Sequence, residues 1–248
     1  MRETTMKILP VLGYQKEALI FWKELLAFGA EEELKDPDYI LVLGGDGTFL
    51  GAERDHYALQ KPFVGVGFGS VNFLLNRSIK DPEDLMRRME EGRWTKFPAY
   101  GMEAEIRTDE KIEKGIAFND IYLKSIDPTR VVELELETKE YSSLNIKGDG
   151  LIIATPQGST AYNRNAGGTI LPLASKLWCL TGICTAKPFH VAIEHQEISV
   201  KIKRNNAVVV TDNKVFYGAC ELRIIPSRSR AEVCFCDEEN FEKRRYNE

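Results

Sequence analysis

The spacing of apolar residues changes once along the chain, near residue 98. Before that point, short apolar runs alternate with stretches of helical period. MKILPVL (6–12) predicts a first strand. Residues 15–28 predict a helix with Leu19, Trp22, Leu25 and Leu26 on one stripe and Gly29 as its stop. DPDYILVL predicts a turn and then a buried strand that runs into Gly44-Gly45-Asp46-Gly47-Thr48 and a short helix. KPFVGVGFG reads as the next strand with a glycine-rich turn. DPEDLMRRMEEG reads as a helix with Asp81 as N-cap, Pro82 in the first position and Gly92 at its end.

From residue 99 the period becomes two. MEAEIRT (102–108) and VVELELET (131–138) alternate apolar and charged residues, as half-buried strands do. SVKIKRNNAVVVTD (199–212) predicts a hairpin turned at Asn205-Asn206. The expected fold is an α/β domain with a mostly parallel sheet over residues 1–98, then a β-rich domain over 99–236. Proline and glycine in FPAYG (97–101) mark the boundary between them. A charged tail, 237–248, is placed to pack back on the first domain.

Composition adds limits. The 248 residues are 43% hydrophobic and 29% charged, with a net charge of −5, so a sizeable core is available and no broad basic footprint suits nucleic acid or an anionic membrane. No apolar run approaches the roughly 18–20 residues of a membrane span. The start lacks the apolar core of a signal peptide. Five cysteines at 179, 184, 220, 234 and 236 have no zinc-site spacing, so a reducing, cytoplasmic setting is expected. The three histidines (His56, His190, His195) have no ligand spacing, and Ser159 has no nucleophile-elbow motif.

Three glycines around an acid are more than a tight turn needs. Glycine allows close backbone approach, and a helix start presents N–H groups to phosphate. The loop is neither a dinucleotide-binding GxGxxG nor a P-loop ending in Gly-Lys-Ser/Thr. A carboxylate beside phosphates is repelled unless it meets a hydroxyl donor or a metal ion. Asp46 therefore suits phosphoryl transfer to an alcohol as the base, with Gly44, Gly45, Gly47 and Thr48 as the phosphate loop. The plainer alternative is an Asx-type turn.

A second constellation, KGDGLIIATPQGSTAYNRNAGG (147–168), carries Asp149 between two glycines and a hydroxyl-rich loop in which Tyr162 offers a flat face to a base. In AFNDIYL (117–123), Asn119-Asp120 interrupt an apolar stretch. Their partner is either a ribose diol or the protein's own loop.

Taken together, Gly44–Thr48, Asn119-Asp120, Lys147–Gly150 and Thr155–Gly168 resemble the ATP-dependent NAD kinase family, in order and spacing across nearly the whole chain. GGDGT alone also resembles the loop of lipid kinases, whereas the 148–168 block does not. The resemblance implies phosphorylation of the adenosine ribose of NAD at its 2′-hydroxyl, with ATP or polyphosphate as donor, giving NADP. It implies a ligand held between the two domains, and a homodimer or homotetramer. Mg²⁺ is implied as the cofactor, held through phosphates rather than by a protein metal motif.

Residue by residue, the resemblance makes Asp46 the base, with Gly47 beside it. Asn119 and Asp120 hold adenosine and ribose, Asp149 is a second carboxylate, and Lys147 is a phosphate contact. Thr160, Ala161, Tyr162, Asn163, Arg164, Asn165 and Cys184 line the NAD pockets. Three positions depart from the family pattern, which has Asn at 67, Gly at 72 and Gly at 213 where this chain has Gly67, Asn72 and Asn213. They bear on the donor and on subunit contacts. The alternatives are a lipid kinase sharing GGDGT, or a protein that binds NAD or NADP without catalysis.

Overall fold

The computed structural model describes residues 5–204, 206–236 and 241–247. Contacts between Cα atoms divide the chain into two units. Unit 1 comprises residues 1–99 and 229–248, and unit 2 residues 100–228. Residues 229–236, read from the sequence as part of the β-rich domain, thus group with unit 1.

Unit 1 contains β1 (Met6–Leu12), α1 (Lys16–Ala27), β2 (Ala30–Glu32), β3 (Tyr39–Gly44), α2 (Asp46–His56), β4 (Pro62–Gly67) and α3 (Pro82–Glu91). Its sheet has the order β2-β1-β3-β4, followed by residues 232–234 of the last strand, and every pairing is parallel. Strand β3 is central, and Ile40 to Leu43 are wholly buried, which explains its uninterrupted apolar run. Helices α1 and α3 cover one face, packing Phe21, Trp22, Leu25, Leu85 and Met86 on Leu41, Leu43, Val64 and Val66. Phe49 of α2 lies on the other face, where Gly65 leaves room for its ring.

The α3 boundaries follow the sequence. Asp81 accepts the Glu83 N–H, and Gly92 adopts a left-handed φ of 63° at the C-cap. The stripe expected on α1 is rotated. Ala18, Phe21, Trp22 and Leu25 are buried, while Leu19 and Leu26 are exposed. The 18/21/22/25 set is also a helical face, and it carries both aromatic rings, so it buries more apolar surface.

Unit 2 is a sandwich of two sheets. Its strands are β5 (Thr95–Arg107, entering from unit 1), β6 (Ile112–Ala117), β7 (Asp120–Ser125), β8 (Val132–Glu137), β9 (Leu144–Gly148), β10 (Gly150–Ala154), β11 (Leu177–Ile183), β12 (His190–Glu194), β13 (Ile198–Arg204), β14 (Ala207–Thr211), β15 (Lys214–Ala219) and β16 (Glu221–Phe235, ending in unit 1). One sheet joins β9, β8, β13, β16, β5 and β6. The other has the order β12-β11-β10-β7-β14-β15 and is antiparallel throughout. Leu134, Val200 and Leu222 from the first sheet meet Leu123, Ile153 and Val209 from the second in one core. A short helix, α4 (Tyr162–Asn165), follows β10, and α5 (Phe241–Asn247) closes the chain in unit 1.

The division between the units falls at residues 99 and 100, inside the FPAYG boundary segment, and the continuous strand β5 runs through it. One expectation needs correction. The 199–212 stretch is not a hairpin. Strand β13 pairs with β8 and β16, whereas β14 pairs with β7 and β15 in the other sheet. Alternation specifies which face of a strand is buried, and a sandwich offers that face from either sheet. Asn205, half of the expected turn, lies outside the described residues.

Candidate functional site

The glycine loop in unit 1 forms where β3 ends. Gly44 accepts the Phe68 and Gly69 N–H groups at 2.7 and 3.2 Å, tying the loop to the turn after β4. Gly45 is the N-cap of α2, and Asp46 is the first helical residue. A Cβ on Gly44 would lie 2.7 Å from Thr48 Oγ1, and one on Gly69 would lie 2.9 Å from the Gly45 Cα. These glycines are required by close packing. At Gly47 a Cβ would meet nothing, so that glycine leaves the first turn of α2 open to a ligand.

Asp46 is half buried, and its Oδ1 accepts the Leu74 N–H at 2.7 Å. The bond fixes the carboxylate in direction. A cleft of about 540 Å³ opens here, lined by Tyr14, Gln15, Asp46, Thr48, Ser70 and Asn72 among others. Among the described lining residues there is no Lys, Arg or His. Asn72 takes a left-handed φ of 58°, and its side chain both accepts from Gly69 N and donates to Gly69 O, at 3.0 and 2.7 Å. It fills the space above Gly67, where a Cβ would be 2.8 Å from its Cγ. The two departures at 67 and 72 are thus physically coupled.

The second group of residues lies on the outer face of the six-stranded sheet in unit 2. Register places Asp120 opposite Ala154 and Tyr122 opposite Ile152, with Tyr162 packed over them. The Tyr122 and Tyr162 rings meet edge-to-face, 5.1 Å apart at 86°. Burial pushes the Asp120 carboxyl up to about 7, helped by the charge of Asp212. Burial also raises the Tyr162 phenol, with smaller contributions from Cys184, Asp120 and Asp149. The structure therefore gathers Asp120, Asp149, Tyr162 and Cys184, and adds Tyr122, which the sequence reading missed. Its signal was present, since Tyr122 stands two residues after Asp120 on the same face of a strand.

The loop after β10 is held from within. Thr155 Oγ1 donates to Phe118 O at 2.6 Å, and Ser159 Oγ donates to Pro156 O and accepts from Leu171 N. A Cβ on Gly158 would stand 2.1 Å from Asn119 O, so only glycine allows this crossing. Asn163 is fully buried, donating to Ser159 O and Thr169 O and accepting from Thr181 Oγ1. Its amide shapes the loop. Thr160 is buried, Ala161 and Arg164 are half buried, and Asn165 is exposed.

Asp149 is placed by its neighbours. A Cβ on Gly148 would be 2.7 Å from the Thr185 Cα, and one on Gly150 would be 2.0 Å from Leu123 O. Lys147 is exposed and pairs with Glu133 at 3.0 Å, a solvent-screened contact that competes weakly with a phosphate. Cys184 is exposed with φ of 46°. Cys234 and Cys236 are both buried in the unit 1 core, with the Cys234 thiol pushed by burial up to about 12. Among the described residues, no group of three or more His, Cys, Asp or Glu side chains forms a metal site, and no helix is long and apolar enough to cross a membrane.

A parallel α/β unit with an acidic glycine loop is followed by a sandwich bearing a buried carboxylate and two tyrosines, and the family matches make the chain a phosphotransferase with an alcohol acceptor. The ATP-NAD kinase N-terminal domain model matches residues 9–94, and the ATP-NAD kinase C-terminal domain model residues 118–239. The chain belongs to the NAD kinase family. An NAD kinase of Rickettsia bellii is 32% identical over 204 residues, covering 77% of this chain and 78% of that relative. Among solved structures, yeast NADH kinase complexed with NADH superposes with a TM-score of 0.86 at 18% identity, covering 98% of this chain and 86% of that one. An NAD kinase from Archaeoglobus fulgidus in complex with ATP gives 0.76 at 23% identity, covering 96% of each chain.

Proposed function

We propose that this NAD kinase transfers a phosphoryl group from ATP, or polyphosphate, to the 2′-hydroxyl of the adenosine ribose of NAD, with Asp46 as the base. The carrying observation is the Asp46 carboxylate, held by Leu74 N–H at the open start of α2 in a cleft that can take a phosphate chain. A positioned base contributes about 10²–10⁴-fold, and alignment of donor with acceptor contributes the larger share. Gly44, Gly45, Gly47 and Thr48 receive the phosphates. Asn119, Asp120 and Asp149 address the adenosine and ribose, and Lys147 contacts a phosphate. Thr160, Ala161, Tyr162, Arg164, Asn165 and Cys184 line the NAD pockets, while Asn163 shapes the loop that carries them.

Mg²⁺ fits this site. It would be held chiefly through the substrate phosphates beside the oxygen-rich lining of the cleft, leaving Asp46 to act as the base. When bound, it neutralises charge on the transferred phosphoryl group. The cleft has no lining cation of its own to do so among the described residues. The five free cysteines support a reducing compartment, the cytoplasm. The family likeness supports a homodimer or homotetramer. Incubation with NAD, Mg²⁺ and ATP or polyphosphate is expected to yield NADP. Phosphorylation of lipid vesicles with none of NAD, or tight NAD binding without turnover, would overturn the assignment.

A further inference from the structure

We propose that Asp212 is a positioning residue of the acceptor site, setting the direction in which Asn119 and Asp120 meet the nucleotide. Asp212 follows β14 with a left-handed φ of 52°, a conformation Asp tolerates better than most residues. Its Oδ2 accepts the Phe118 N–H at 2.9 Å, and its Oδ1 accepts the Asn119 and Asp120 N–H groups at 2.9 and 3.2 Å. Its own N–H donates to Asp120 O at 3.0 Å.

Residues 118–120 have three N–H and three C=O groups. Asp212 takes four of the six. Thr155 takes the other two, through its N–H to Asn119 O and its hydroxyl to Phe118 O. With the backbone fully engaged, the segment cannot rotate without breaking charge-assisted bonds, and only the side chains of Asn119 and Asp120 are left to address a ligand. Asn119 Oδ1 is buried and has no hydrogen-bond partner among the described residues. Such an acceptor is costly unless a ligand donor reaches it.

Asp212 also faces Asp120, and its charge adds to the burial that raises the Asp120 carboxyl. Among the described residues, Tyr122 from the same strand and Tyr162 from α4 also feel the charge of Asp120, and neither is a cation. Asp212 thus acts on the acceptor site twice, through backbone direction and through the protonation of its neighbour. The inference rests on the assignment of NAD as acceptor.

The test is calorimetric titration of NAD between pH 5.5 and 8.5, with steady-state kinetics, for wild type and Asp212→Asn. The variant keeps one acceptor oxygen but turns an amide NH₂ toward an N–H donor, and it removes a negative charge. The expected result is NAD affinity weakened about tenfold or more with the donor KM within about twofold, as loss of a charge-assisted bond confined to one ligand implies. The acid limb of NAD binding is also expected to move to lower pH. An unchanged affinity and acid limb, or a parallel loss of both substrates that follows the melting temperature, would overturn it.

Should the variant fail to fold, amide hydrogen exchange in the wild type decides. Protection of Phe118, Asn119 and Asp120 at the level of strand interiors supports the inference, and loop-like exchange overturns it. A wild type that forms no NADP with any donor refutes the kinase assignment instead, while the exchange measurement still reports on Asp212.

Discussion

Asp120 begins a strand on the outer face of a sheet, beneath Tyr162 and within the field of Asp212. Its carboxyl titrates at about 7 rather than near 3.8, so the folded chain holds a proton there that the unfolded chain releases. Stability contributed by this group is therefore present below pH about 4 and is lost as pH rises toward 7, by up to about 1.4 kcal/mol per unit. Urea unfolding of wild type and Asp120→Asn at pH 5 and pH 8 should show the larger decline in the wild type. Ligand binding runs the other way. A ribose diol donates to the ionised carboxylate, so NAD affinity should rise between pH 6 and 8 in the wild type and stay flat in Asp120→Asn. Asn119 and Asp120 were visible in the sequence as polar residues in an apolar run. Asp212, 92 positions beyond Asp120, was not, because a carboxylate that binds backbone N–H groups leaves no pattern in side-chain spacing.

The elements show where sequence period suffices and where it does not. The helix over 82–91 was legible to its caps, since Asp81, Pro82 and Gly92 each act locally. The face of α1 was misjudged because Leu19 and Leu26 match the period as well as Ala18 and Phe21 do, and only packing chooses between them. Strands β13 and β14 join different sheets for a comparable reason, since alternation names the buried face and leaves the partner open. Gly67 and Asn72 looked like two separate departures from the family pattern. In space the Asn72 amide fills the volume over Gly67. Gly67→Asn should accordingly destabilise by about 1–3 kcal/mol through overpacking. Adding Asn72→Gly should recover most of that loss. Thermal unfolding of the two single variants and the double variant measures the coupling, and strict additivity would refute it.

For the whole molecule, the central claim is chemical. The Asp46 carboxylate, held at a glycine-lined helix start, is proposed as the base for phosphoryl transfer to NAD. Because no cation lines the unit 1 cleft among its described residues, chelation of divalent metal should abolish turnover while NAD affinity stays within about twofold, as expected when the metal acts on the donor phosphates. Measured NAD binding with and without chelator checks that separation. The most direct test is the initial rate of NADP formation from NAD and Mg-ATP for wild type and Asp46→Asn, with NAD affinity measured on the same samples. Turnover should fall by about 10²-fold or more with affinity preserved. A variant that makes NADP at the wild-type rate would contradict the role of Asp46.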